Sequence, residues 1–295
     1  MTSTKNARAA EALDALTAKL IDAMEGDPGQ WTKPWTAGAL PANATTGRRY
    51  NGTNVLLLSL TAGEREYTSN RWATFKQWKD AGSMVRKGER SSVIVFYKRI
   101  TVQDESDPDK TKSIPLLRYS SVFAAEQVDG EHAERMRTPA GPGPDPDERA
   151  EAWFAAIGAE VRHGGDSAHW TPGSDVITLP PRETFTSAEG FYSTLAHEHA
   201  HWTGHATRLD RDRHRTFGDA VYAREELIAE LTSVFTMAHL GLAHEPSPDA
   251  AAYLKHWAGH LRAKPRELWS VVGDASRALD YLIERAEPSE EAAAA

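Results

Sequence analysis

The chain of 295 residues contains no cysteine. Disulfides, thiolate zinc sites and cysteine nucleophiles are therefore excluded, and any metal site must be built from histidine and carboxylate. No run of about 18 apolar residues occurs and the N-terminus lacks an apolar signal core, so no membrane span is expected and the expected location is the cytoplasm. Nor is there a positive excess: 34 Lys and Arg against 42 Asp and Glu give a net charge of −8, which argues against a chain that binds polyanions along its whole length. The deficit is uneven, however. Residues 31–100 hold 12 Lys and Arg against 4 Asp and Glu, so one segment is basic and the rest strongly acidic.

What is present points first to residues 191–205. There His197-Glu198-His199-Ala200-His201 contains H-E-x-x-H. On a helix its first and last histidines stand one turn apart on one face, so both imidazoles can bind one metal ion with the glutamate beside them as general base. Thr186 followed by Glu189 predicts a capping-box start, and Phe191, Leu195 and Trp202 recur at helical spacing as a buried stripe. His197, His201 and Glu198 fall on the adjoining arc. The middle histidine, His199, reads as a helix-surface residue, and His163, His169, His205 and His214 as ordinary polar residues.

A hydrolytic zinc site needs three protein ligands and an open position. The extended H-E-x-x-H-x-x-G-x-x-H pattern would place a third histidine at 207, where the chain has Thr207. The remaining source is a carboxylate on a later helix, and the segment 223–238 supplies one, with Leu227, Leu231, Val234, Phe235 and Ala238 as its apolar stripe. A glutamate ligand followed one turn later by an acidic residue that orients a ligand histidine resembles the thermolysin-like arrangement, which implies Glu226 on the metal and Glu230 behind it. Glu225 and Glu230 remain alternatives as the ligand.

Upstream, an amphipathic helix is predicted over 6–25, ended by Gly26-Asp27-Pro28-Gly29. The basic segment interleaves cations with aromatics, in Trp31 to Trp35, Arg48-Arg49-Tyr50, Arg71 to Lys79 and the turn Arg86-Lys87. Unpaired bases stack on rings while cations hold phosphates, so this mixture suits single-stranded nucleic acid. The alternative is that several of Trp31, Trp35, Trp72, Phe75 and Trp78 are core. Ser92 to Lys98 and Leu116 to Val122 read as strands joined by a polar hairpin loop over 103–113. Residues 138–147, rich in proline and glycine, read as a flexible tether spanning roughly 15–20 Å as a coil. Beyond it a helix from Glu148 to Gly158, a strand near Glu160 to Arg162, an edge strand in Asp175 to Pro181, and later helices over 250–261 and 268–285 are predicted.

Two separated blocks resemble one known arrangement, the ArdC-type antirestriction proteins of plasmids and phages. The first runs from W-T-K-P-W through N-A-T-T-G-R-R-Y-N-G-T-N, R-W-A-T-F-K-Q-W and V-R-K-G-E-R, and is similar to their N-terminal single-stranded-DNA-binding domain. The second runs from D-V-I-T-L-P through Y-S-T-L-A-H-E-H-A-H-W-T-G-H, R-L-D-R and Y-A-R-E-E-L-I-A-E-L, and is similar to their zincin-like metallopeptidase domain. The resemblance implies an α+β fold of two domains: residues 1–137 binding single-stranded DNA, a linker at 138–147, and a zincin-like domain over 148–290. The expected site is one zinc ion on His197, His201 and Glu226, with Glu198 as base and Glu230 supporting it. The expected DNA contacts are Arg48, Arg49, Tyr50, Trp72, Phe75, Arg86 and Lys87. The expected function is protection of incoming DNA from restriction, with peptide hydrolysis directed at DNA-associated or restriction-system proteins. A shielding protein whose zinc is structural is the competing reading, and a metal nuclease a weaker third, since phosphodiester cleavage usually recruits magnesium through carboxylates.

Overall fold

A helix that is apolar on nearly every side ties the two halves of the chain together. In the computed structural model, residues 14, 17–18, 21–22, 40–104, 107–137, 146–211, 220–244, 258–259, 261–262, 264 and 267–288 are described, with the side chains of 97–118, 146–147 and 220 outside that description. Helix α1 (Thr53–Glu64) buries Val55, Leu56, Leu57, Leu58 and Ala62, and such a helix must be covered on several sides at once. Gly52 stands before it at φ 56°, a conformation that favours glycine, and its N–H donates to Ser276 Oγ at 2.8 Å. Val55 and Leu56 pack in one cluster with Leu227, Leu231, Phe235, Val272 and Leu279 from the C-terminal half.

The N-terminal sheet has the order β1-β2-β5-β4, from β1 (Ala42–Asn43), β2 (Arg71–Ala73), β4 (Ser92–Asp104) and β5 (Asp107–Ala124). β1 runs parallel to β2, and the other neighbours are antiparallel. Between β2 and β4 come α2 (Phe75–Asp80) and β3 (Met84–Val85); β3 pairs with β6 (Val128–Asp129), and α3 (Glu131–Arg137) follows. α2 opens on a capping box in which Gln77 N donates to Thr74 Oγ1 at 3.2 Å and Thr74 N to Gln77 Oε1 at 2.9 Å. The β4–β5 ladder runs from Ser92↔Val122 to Asp104↔Asp107. The expected loop over 103–113 is therefore mostly strand. Its Thr, Ile and Val neighbours favour extended chain, and a ribbon paired only with itself needs no apolar alternation to hold its register.

The C-terminal half carries α4 (Pro146–Ile157), β7 (Glu160–His163), β8 (His169–Thr171), β9 (Val176–Leu179), α5 (Ala188–Thr203), α6 (Ala220–Leu240) and α7 (Glu267–Ala286). Its sheet has the order β7-β9-β8, so β9 is the middle strand and not the expected edge. The proline pair that suggested an edge lies just past its end, where it removes no ladder hydrogen bond. A second cluster joins Trp153, Phe154, Ile177, Phe191, Leu195 and Trp202. Of the predicted opening helix only 14, 17–18 and 21–22 are described; they are helical, and Ile21 is buried. Trp31, Trp35, residues 138–145 and most of 250–261 lie outside the described residues, while 146–147 already belong to α4. In the first cluster, side chains of both halves bury one another. Among the described residues no helix is long and apolar enough to cross a membrane.

Candidate metal centre and basic cleft

α5 begins one residue later than the capping box predicts. Ser187, not Thr186, is the N-cap, and its Oγ accepts from Gly190 N at 2.9 Å, which leaves Glu189 in the first turn beside the positive end of the helix. The helix ends at Gly204, and the segment after it is pinned by Arg208. Its Nε donates to Trp202 O at 2.6 Å, its guanidinium binds Asp175, and it lies 3.9 Å over the Trp202 ring. Phe191, Leu195 and Trp202 are buried as their spacing predicts, and so are all five stripe residues of α6.

Packing α5 on α6 brings His197, His201 and Glu226 together, with one donor atom from each lying within 4.8 Å of the others. The two histidine Nε2 atoms are 3.2 Å apart; Glu226 Oε2 lies 3.4 Å from His197 Nε2, and Glu226 Oε1 lies 3.6 Å from His201 Nε2. Ligands about 2.0–2.2 Å from one tetrahedral ion sit roughly 3.3–3.6 Å from one another. These side chains therefore fit a divalent metal. Glu198 is buried on the same helix, only 6% exposed.

The outer nitrogens face carboxylates too. His197 Nδ1 is 3.4 Å from Glu230 Oε2, and Glu230 Oε1 is 3.7 Å from His244 Nε2. His201 Nδ1 is 3.4 Å from Glu225 Oε1. Glu225, a candidate ligand from sequence, instead turns to Arg211, which donates from Nε at 3.0 Å and from its terminal nitrogen at 2.8 Å. The same guanidinium donates to Thr203 Oγ1 at 2.7 Å and to Ala200 O at 2.5 Å. Burial alone pushes both imidazoles down, but the facing carboxylates overturn it and hold both above the usual range. Burial likewise raises the Glu225 carboxyl, and His201 with Arg211 bring it down to about 2. Glu226 is held far below the usual carboxylate range despite its burial, because both histidines face it.

His199 is not on the surface. It is fully buried, with Nδ1 2.8 Å from Leu195 O and its ring 5.1 Å from Phe154. Burial holds it neutral, at about 4, and it faces away from the candidate ligands into the second core cluster. Sequence reasoning assigned no role to Arg211 or His244. Arg211 carried a signal, since it ends the quoted R-L-D-R block; His244 carried none.

In the N-terminal half, Arg48, Arg49 and Tyr50 line a cleft of about 950 Å³ together with Phe96 and, from α7, Asp280. Arg49 reaches Asp280 at 3.7 Å. Phe75 is 48% exposed on α2, beside the cleft-lining Thr74. Trp72 does not fit the expectation of a stacking ring: it is fully buried under α1, and its Nε1 donates to Asn70 Oδ1 at 3.2 Å. β2 is an inner strand, so its side chains are covered. Arg86 is bound to Glu89 at 3.0 Å and Asp129 at 3.3 Å, and exposed Lys87 follows it; neither lines the cleft.

Comparison with known proteins agrees with this division. Residues 10–123 match the N-terminal domain of anti-restriction factor ArdC, and residues 148–273 match a zincin-like metallopeptidase family. The chain is 35% identical over 290 residues to DNA primase TraC of Escherichia coli, covering 90% of this chain but only 26% of that protein's length. Its structure is similar to that of the antirestriction protein ArdC of plasmid R388, metal-free, with a TM-score of 0.77, 40% identity, and 93% of this chain and 97% of that one covered. The Mn(II)-bound structure of the same ArdC gives a TM-score of 0.75 and 38% identity, with 94% and 99% covered. With its two matched regions in ArdC order and nearly the whole R388 protein covered, this chain belongs to the ArdC antirestriction family.

Proposed function

We propose that this ArdC-family chain binds single-stranded DNA through its N-terminal half and hydrolyses peptide bonds of DNA-associated proteins at a zinc site formed by His197, His201 and Glu226. The observation that carries the reading is the convergence of those three side chains within 4.8 Å beside buried Glu198. Two imidazoles and one carboxylate suit zinc, which also stands well above manganese in affinity for such donors. A metal held there supplies a Lewis acid for a carbonyl oxygen and acidifies water. Glu230 and Glu225 fix the outer nitrogens of His197 and His201, so the inner nitrogens stay directed to one point. Glu198 takes the proton of the attacking water and passes it to the leaving amine. At the other site, Arg48 and Arg49 bind phosphate while Tyr50, Phe75 and Phe96 offer apolar rings to unpaired bases.

The second reading, DNA shielding with a structural metal, is favoured by one observation. β9 lies in the middle of its sheet, so the strand expected to align a peptide has no free edge. Incubating the full chain with casein and with labelled single-stranded DNA, each with and without a chelator, separates the readings. Chelator-sensitive casein cleavage that is lost in Glu198→Gln supports hydrolysis. DNA binding and protection from restriction that persist in Glu198→Gln, with no cleavage in the wild type, support shielding.

A further inference from the structure

The cleft that Arg48 and Arg49 line has one wall that phosphate binding does not call for. Asp280 comes from α7, in the other half of the chain, and a carboxylate beside a phosphodiester is repulsive. Several polar neighbours in the cleft are engaged within the protein. Both ends of the Asn54 amide are held by the backbone of Val95, at 2.8 and 2.7 Å. Asn43 Oδ1 accepts from Thr45 and Thr46, Gln77 closes its capping box with Thr74, and the Tyr50 hydroxyl donates to Trp72 O. Asp280 is different: among the described residues it pairs with Arg49 at 3.7 Å, and its side chain is 45% exposed. Such an exposed pair is weak, and a phosphate can take Arg49 from it. The same cleft is lined by Phe96, an aromatic ring 49% exposed.

We propose that the cleft reads guanine in single-stranded DNA, with Phe96 stacked on the base, Asp280 accepting from N1–H and N2–H2, and Arg48 and Arg49 on the flanking phosphates. The inference rests on the single-strand reading above. Its chemistry follows from donor count. A carboxylate offers two acceptors and no donor. Only guanine presents two adjacent donors on the edge that duplex pairing hides. Adenine and cytosine set one donor beside a ring acceptor, and thymine flanks its single N3–H with two carbonyls. That edge is open only in unpaired DNA. The cleft volume of about 950 Å³ is ample for one nucleotide and its phosphates.

The test uses the full chain and fluorescence anisotropy at fixed salt, with an oligothymidylate of about 12 nucleotides, a length a single-strand site covers. Matched oligonucleotides carry one central dG, dA, dC or deoxyinosine. A dG insert should bind about 5- to 150-fold tighter than oligothymidylate, the range of one bidentate base contact, and deoxyinosine, which lacks the N2 amine, should fall between. Asp280→Asn removes a negative charge, so it should bind oligothymidylate at least as tightly as the wild type while losing the dG advantage; a merely structural residue would weaken every ligand alike. Equal binding of dG and thymidine inserts overturns the proposal, as does a dA insert that gains as much as dG, or an Asp280→Asn protein that keeps the preference. Failure of every oligonucleotide to bind overturns the single-strand reading itself, and with it this one.

Discussion

Arg211 is the residue whose removal should cost most for its distance from the candidate ligands. Its side chain is 7% exposed and it is ion-paired to Glu225, itself 3% exposed, which also faces His201. Arg211→Ala leaves a buried carboxylate without its guanidinium and removes one of the two side-chain donors to Ala200 O, the Thr203 hydroxyl remaining. Breaking a buried pair from one side costs about 3–5 kcal/mol. At roughly 2.1 cal/mol/K of unfolding entropy per residue, a chain of 295 residues should then melt about 5–8 °C lower. Calorimetry reads this directly. The same variant should weaken metal binding about 10- to 100-fold, because Glu225 loses the anchor that holds it against His201 Nδ1. Arg211→Met with Glu225→Gln removes both charges and should recover part of the loss in stability but none of the loss in metal affinity. The pH dependence has a definite sign. The folded Glu225 carboxyl sits at about 2 against 4.5 when free, so its stabilisation is complete above 4.5 and is lost as pH falls toward 2. Without Arg211 the folded carboxyl moves back toward 4.5, so that loss should be smaller and complete at higher pH. A melting temperature within about 1 °C of the wild type, or a double variant no more stable than Arg211→Ala, would refute the reasoning.

His201→Ala should lose the metal and Glu198→Gln should retain it, read as metal per chain by elemental analysis; stoichiometric metal in the His201 variant sinks the ligand assignment. Because folded His199 titrates at about 4 and free histidine at 6.5, stability should fall by about 3 kcal/mol as pH drops through that interval. His199→Leu should flatten this slope in urea titrations, and an unchanged slope would assign it elsewhere. A chain cut at a protease site placed between 138 and 145 should still elute as one particle, held by the cluster that α1 shares with α6 and α7; two separate peaks would show that cluster too weak to hold the halves together.

The candidate metal centre was legible because its geometry is local. Two histidines four apart on one helix, and a glutamate on a second helix whose apolar stripe is unbroken, fix most of the arrangement before any tertiary contact is known. Long-range features were not. Which glutamate faces inward depends on how α6 is rotated against α5, and that rotation sends Glu226 to both histidines and Glu225 to Arg211. Trp72 and Trp78 carry the composition of a stacking surface, yet both are fully buried, because the sheet and helices that cover them are assembled from distant segments. His199 was misplaced for the same reason: α5 is covered on the face opposite the site by Phe154, from α4. The place of β9 inside its sheet was invisible as well, since strand order is set by pairing with β7 and β8 and not by the strand's own residues.

The arrangement of α7 gives a physical reason for two sites to share one chain. One side of this helix packs on α6, which carries Glu226 and Glu230, through Val271, Val272, Ala275 and Leu279. The same helix sends Ser276 to Gly52 at the start of α1 and Asp280 into the basic cleft. A tether would leave each half to unfold on its own, with each ligand protecting only the half that binds it. A shared core does otherwise. Any ligand of the native state then stabilises the whole cooperative unit, by about 2.7 kcal/mol at a hundred times its dissociation constant. Metal added alone and single-stranded DNA added alone should therefore each raise one common melting transition by about 4 °C, given the unfolding entropy of a chain this long. Two transitions, one moved only by metal and the other only by DNA, would show that the halves are joined by the backbone and little else.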